Sequence, residues 1–287
     1  MQTRNASPRI DEERLTRIRD FARGVRTSSL IQAEVQGQGY IGQALDLSDI
    51  MAVLYGDQLA YDPADPAWED RDRCLMSMGH YALVLYAALA EAGILPKDEL
   101  KTYAGDDSRL PMSAMASYTP GVEISGGSLG HGLAVANGVA LGLRRKSSEA
   151  FVYNLLSDGE LDEGSTWEAA AVAAHHRLDR LIAIVDFNNQ QADGKSQHML
   201  GTEPVDAKFE AFGWTARRVD GNDVEAVLNA LIELRNEESE RPRVLIADTK
   251  LGKGVSFLEQ REKLHFMKVS DEEWDRAHDE LREGHTA

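Results

Sequence analysis

Phe151 to Gly194 reads FVYNLLSDGELDEGSTWEAAAVAAHHRLDRLIAIVDFNNQQADG. FVYNLL and LIAIVD are short runs rich in β-branched residues, without polar alternation, as expected of strands buried on both faces of a parallel sheet. Between them, GSTWEAAAVAAHHR is built from strong helix formers, and Ser165 with Glu168 fits a capping box at a helix start. The stretch is therefore a strand–helix–strand unit, with Asp158 and Asn188 at the carboxyl ends of its two strands. Open parallel sheets bind their ligands at that edge. Two oxygen-bearing side chains beside a helix N-terminus suit a hard cation and a phosphate held together.

At 287 residues, 43% of them hydrophobic, the chain has the length of one large α/β domain, a doubly wound and mostly parallel sheet flanked by helices. Its net charge of −17 argues against nucleic acid or an anionic membrane as partner. An anionic ligand must then be held locally, by backbone N–H groups or a metal. A single cysteine, Cys74, excludes an internal disulfide and fits a reducing compartment. The N-terminal residues carry no apolar signal core, and no run reaches membrane-spanning length, so a cytoplasmic location is expected.

Upstream, Ser7-Pro8 is expected to open a helix running to about Val35. The glycines Gly37, Gly39 and Gly42 interrupt it before Ser48 caps a second helix. A polar Pro/Asp loop leads to CLMSMGHYALVLYAALAEAG, read as a strand, a turn bearing His80, and an apolar helix ended by Gly93. A histidine there serves as a structural hydrogen-bonding residue or a catalytic one. The long loop before Gly126-Gly127-Ser128-Leu129-Gly130 is irregular, as functional loops are. It feeds a helix with Ala134, Gly138 and Gly142 in one row, read either as close packing on a neighbour or as part of a cofactor cradle. Downstream come a helix, an edge strand TARRVDG, a helix from Asp223 to about Arg235, the strand RVLIADT with its LGKG loop, and a final amphipathic helix. Nothing marks an interdomain linker, and residues 1–287 read as a single domain.

Four loops, SMGH, GGSLG, SDGELDEGSTWE with DFNN, and LGKG followed by His265, together resemble the thiamine-diphosphate-binding half of a transketolase, in particular the N-terminal subunit of transketolases split into two chains. The similarity covers nearly the whole chain in the family's order. The family's Gly-Asp-Gly…Asn-Asn signature reads Ser157-Asp158-Gly159 and Asn188-Asn189, and the longer segments GELDEGSTWEA, TPGVEISGGSLGHG and NNQQADG are more specific. The resemblance implies thiamine diphosphate and Mg²⁺ as cofactors, the metal held by the Asp158 and Asn188 side chains and the Gln190 carbonyl. It implies that Gly127, Leu129 and Gly159 lie against the cofactor, and that Glu163 and Glu168 lie at the subunit contact near it. His80 and His265 match histidines near the reacting ring and the diphosphate, although the family's Trp-His-Gly reads Leu264-His265-Phe266 here. Tyr40 stands where the family has a sugar-facing histidine, and Leu110-Pro111-Met112-Ser113-Ala114 lacks a second one. The implied reaction moves a two-carbon ketol unit from a ketose to an aldehyde, with His80 transferring protons and an altered sugar in place of ordinary pentose phosphates. The family's activating glutamate belongs to a pyrimidine-binding domain expected on a separate subunit. The shared active site then implies an α2β2 assembly, the present chain being one complete subunit. Two other readings share the signature: the α subunit of a 2-oxo acid dehydrogenase, and a homologue that binds the cofactor without catalysis.

Overall fold

The structure is a computed structural model and describes residues 9–284. The two apolar runs form β3 (Val152–Ser157) and β4 (Leu181–Phe187), paired in parallel with Ser157 opposite Asp186. β2 (Arg73–Met76) joins β3, while β6 (Arg243–Asp248) and then β5 (Thr215–Asp220) continue beyond β4, giving the order β2-β3-β4-β6-β5. Every pairing in this sheet is parallel.

The apolar side chains of β3 and β4 alternate between two buried clusters, which is why neither strand shows a polar face. Tyr153, Leu155, Ile182 and Ile184 pack on one face with α1 (Glu12–Gln36), α3 (Ser48–Val53) and α4 (Ala82–Glu91). Val152, Leu156, Leu181, Ala183 and Val185 pack on the other with α5 (Gly132–Arg145) and α6 (Gly164–His175). α6 meets the sheet through Thr166, Ala169, Ala170 and Ala173, a three-and-four spacing that puts small side chains on one stripe. The expected doubly wound α/β fold is therefore present.

Several local expectations are not met. Ser7 and Pro8 lie outside the described residues, and α1 begins at Glu12 with Asp11 as its N-cap, accepting from the Arg14 amide. Ser48 caps no helix, because helical structure already starts with α2 (Ile41–Asp46) and the Ser48 hydroxyl donates back to the Ala44 carbonyl. Ser165 and Glu168 form no capping box. The helix starts two residues earlier, at Gly164 with Glu163 as its N-cap, and Ser165 Oγ donates to the Gly130 carbonyl at 2.9 Å. Gly138 and Gly142 do not meet a neighbouring helix within the chain, and their row on α5 is exposed together with Val135.

Residues far apart in sequence also meet in a two-stranded antiparallel sheet, β1 (Gln38–Gly39) with β7 (Met267–Lys268). That pairing sets Tyr40 beside His265. The glycine loop is drawn in as tightly: Gly127 N donates to Ser77 O at 2.8 Å, and Ala114 N to Gly79 O at 3.1 Å. A Cβ on Gly126 would lie 2.5 Å from Met76 O and 2.7 Å from Ser77 O, both backbone atoms that cannot rotate away. Gly126→Ala should thus lower stability by about 1–3 kcal/mol in urea denaturation. Gly138→Ala, with nothing within 4 Å of the new methyl, should raise it by roughly 0.5–1 kcal/mol.

Candidate functional site

A cavity of about 690 Å³ opens at the carboxyl edge of the sheet. One wall is the glycine loop, with Gly127 and Leu129. A second is the acidic loop after β3, with Asp158, Gly159, Asp162 and Glu163. The segment after β4 supplies Gln190, Gln191 and Asp193, and the rings of Tyr40, His80 and His265 form the far side. No lysine or arginine lines it among the described residues, while four carboxylates do.

Asp158 follows β3 directly and is only 2% exposed. Its carboxylate accepts from Gly159 N at 2.8 Å and from Ser196 Oγ at 2.7 Å. Burial nevertheless dominates and pushes its carboxyl up to about 7. Asn188 follows β4, and its amide orientation is fixed. Nδ2 donates to Asp186 Oδ2 at 2.9 Å, to the Tyr81 hydroxyl at 3.1 Å and to Asp46 Oδ2 at 3.3 Å, while Oδ1 accepts from Gln190 N at 3.0 Å. Asn188 itself lines an adjoining cavity of about 810 Å³ that shares Gln190 and His265 with the first. Asp158 and Asn188 thus follow the carboxyl ends of adjacent strands, and Gln190 lines both cavities.

The two loops are locked to each other by Glu160, which is fully buried. Its Oε1 accepts from Gly130 N at 2.9 Å and from the Ser77 hydroxyl. Glu163 sits at the N-terminal boundary of α6 and lines the cavity, whereas Glu168 is exposed on α6 and lines neither cavity. Sequence reasoning missed Glu160, Asp186 and Ser196. A charged side chain just after the Ser-Asp-Gly turn was a usable signal for Glu160, but nothing local ties Ser196 to Asp158.

Tyr40, His80 and His265 form a ring cluster. Centroids are 4.9 Å apart for Tyr40 and His80, 5.4 Å for Tyr40 and His265, and 5.5 Å for the two histidines. Phe266 extends the cluster at 5.0 Å from Tyr40, and Ser113 lines the cavity nearby. Burial, with a smaller contribution from His265, lowers His80 to about 4, so its imidazole is neutral at pH 7. His265 is also lowered, chiefly by burial, with Asp193 opposing.

His80 has a stability signature. The unfolded chain protonates it near pH 6.5, whereas the folded chain resists until about pH 4, so this contribution is lost as pH falls through that window. His80→Asn should erase up to about 3 kcal/mol of the acid dependence between pH 6.5 and 4. The stability difference between wild type and variant, measured by denaturation at several pH values, isolates the effect from buried acids common to both proteins.

The transketolase thiamine diphosphate binding domain model matches residues 19–282. A "transketolase family protein" of Sinorhizobium fredii is 59% identical over 253 residues, covering 88% of this chain and 91% of that one. One of the subunits of the apulose-4-phosphate transketolase of Actinobacillus succinogenes is 40% identical, covering 88% and 91%. Among solved structures, the transketolase of Campylobacter jejuni superposes with a TM-score of 0.86 at 31% identity. That match covers 95% of this chain but only 43% of the other, so the present chain spans about two-fifths of that enzyme. With the domain match spanning most of its length and relatives of 59% and 40% identity covered nearly end to end, this chain belongs to the transketolase family, as its thiamine diphosphate-binding domain.

Proposed function

We propose that the chain is the cofactor-binding subunit of a two-subunit transketolase, transferring a two-carbon ketol unit from a ketose to an aldehyde. The observation that carries this reading is the cavity at the sheet edge. It joins Asp158 and Gln190 to a glycine loop and to the His80–Tyr40–His265 cluster. Its described lining has four carboxylates and no lysine or arginine, so a diphosphate requires a cation to sit there. Among the described residues no three His, Cys, Asp or Glu side chains converge on one point. A site built from Asp158, the Asn188 amide, the Gln190 carbonyl and the cofactor's own phosphates suits Mg²⁺, which takes oxygen ligands and is commonly completed by phosphate.

In this reading Gly127, Leu129 and Gly159 lie against the thiamine diphosphate, and Glu163 and Glu168 lie at the subunit contact. Bound thiamine diphosphate supplies an electron sink for breaking a bond next to a ketose carbonyl. The chain's own residues orient it and move protons: His80 lines the cavity beside Tyr40 and His265, and its imidazole is the group placed there to exchange a substrate proton. Tyr40 donates a hydrogen bond but is no base near neutral pH, and Ser113 is small. These two positions point to a sugar other than the ordinary pentose phosphates. The partner would be a pyrimidine-binding subunit, in an α2β2 cytoplasmic assembly. The Actinobacillus relative, whose own name makes it part of a multi-subunit transketolase, has nearly this chain's extent, which supports that division.

Titration calorimetry with Mg²⁺ and thiamine diphosphate, with the partner subunit present, tests cofactor binding. Product analysis across candidate ketoses then tests the reaction. Oxidative decarboxylation of a 2-oxo acid, or binding without turnover, would overturn it, and xylulose and ribose phosphates as the best pair would overturn the altered-sugar reading.

A further inference from the structure

Gln43 is the third residue of α2 and is 1% exposed, yet its side chain faces a histidine from the other end of the chain. Gln43 Nε2 lies 3.0 Å from His265 Nδ1. The approach depends on Gly42, where a Cβ would lie 2.9 Å from Leu264 O, and the α2 backbone is held in turn by Gly252 N donating to Gly42 O at 3.0 Å. An amide nitrogen can only donate, so Nδ1 accepts and the neutral ring carries its proton on Nε2. The other amide atom, Gln43 Oε1, is buried without a hydrogen-bond partner. A buried amide satisfied on one side only is a poor device for stability, so the single contact it keeps calls for a role.

We propose that Gln43 is a positioning residue that holds His265 in its Nε2–H form, so that the ring presents a hydrogen-bond donor to an acceptor oxygen of the bound ligand. Only the identity of that ligand rests on the proposed function. His265 lines both cavities and packs against Tyr40 and His80, so fixing its proton fixes what that cluster offers. With the proton on Nδ1, the same ring would repel an anionic oxygen.

The test is nitrogen NMR of the full chain carrying labelled histidine at pH 8, with His265→Gln identifying the His265 signals. Wild type should show Nε2 protonated and Nδ1 bare, by roughly tenfold, the weight of one hydrogen bond. Gln43→Glu is nearly isosteric and only accepts, so it should move the proton to Nδ1. Gln43→Met, which fills the space without a donor, should leave a mixture of the two forms. A wild-type signal with Nδ1 protonated overturns the proposal whatever the variants do, as does an unchanged His265 pattern in Gln43→Glu. Failure to bind thiamine diphosphate would sink the proposed function and leave this measurement intact.

Discussion

Asp158→Asn is expected to remove Mg²⁺-dependent binding of thiamine diphosphate while leaving the chain folded. The side chain is almost fully enclosed, and its hydrogen bonds come from Gly159 N and Ser196 Oγ, so an isosteric amide keeps one acceptor in place. What it loses is the charge. Breaking a buried charge pair costs about 3–5 kcal/mol, which corresponds to a loss of affinity on the order of a hundredfold to a few thousandfold. In the metal-free chain the sign reverses. Burial pushes the carboxyl up to about 7, so at pH 8 the ionised group opposes folding, and asparagine relieves that strain. Thermal melts at pH 8 should therefore show the variant at least as stable as wild type without ligands. At a hundred times the dissociation constant, Mg²⁺ with thiamine diphosphate should stabilise wild type by about 2.7 kcal/mol and the variant hardly at all. Affinity within threefold of wild type would remove Asp158 from the metal site. Asp162→Asn is the matched control, since Asp162 lines the same cavity but follows no strand end and should lose far less.

The reading of Phe151–Gly194 carried so far because each of its signals is short-ranged and strong. Runs without polar alternation can only be buried on both faces, and two such strands in parallel put Asp158 and Asn188 on one edge. Where the sequence misled, a serine found a partner other than the helix start it was expected to cap. Ser165 satisfies the distant Gly130 carbonyl, and Ser48 bonds back one turn to Ala44 because helical structure had already begun. The ring cluster was legible only as separate matches to a family. The strands that bring Tyr40 to His265 are two residues long, too short for any periodicity to register. Ser196 was invisible and Glu160 only faintly marked for a related reason: each matters through a contact in another loop, Glu160 with Gly130 and Ser196 with Asp158.

Ketol transfer should require a second subunit, the chain alone turning over at least about a thousandfold more slowly than the assembled pair. The groups on this side of the cavity suit binding the diphosphate end and handling substrate protons, with His80 neutral and His265 beside it. The proposed partner supplies the acid–base group for the other end of the cofactor. A missing general acid or base costs about a hundredfold to ten-thousandfold, before any loss from a cofactor left unclamped. Surface chemistry points the same way. Near the adjoining cavity Phe266 is 43% exposed, and Met199 and Leu200, at 43% and 66%, follow the Asn188–Lys195 segment that lines it. Val135 on α5 and Val172 on α6 are similarly bare, at 42% and 43%. Large apolar side chains left in water favour a protein surface that covers them. Mixing the chain with increasing amounts of a pyrimidine-binding subunit should raise activity until the two are equimolar and then level off. Replacing the partner's activating carboxylate should abolish that activity without preventing co-elution. Turnover by the chain alone within tenfold of the mixture would show that its own cavity completes the chemistry, and would overturn the division of labour proposed for the two subunits.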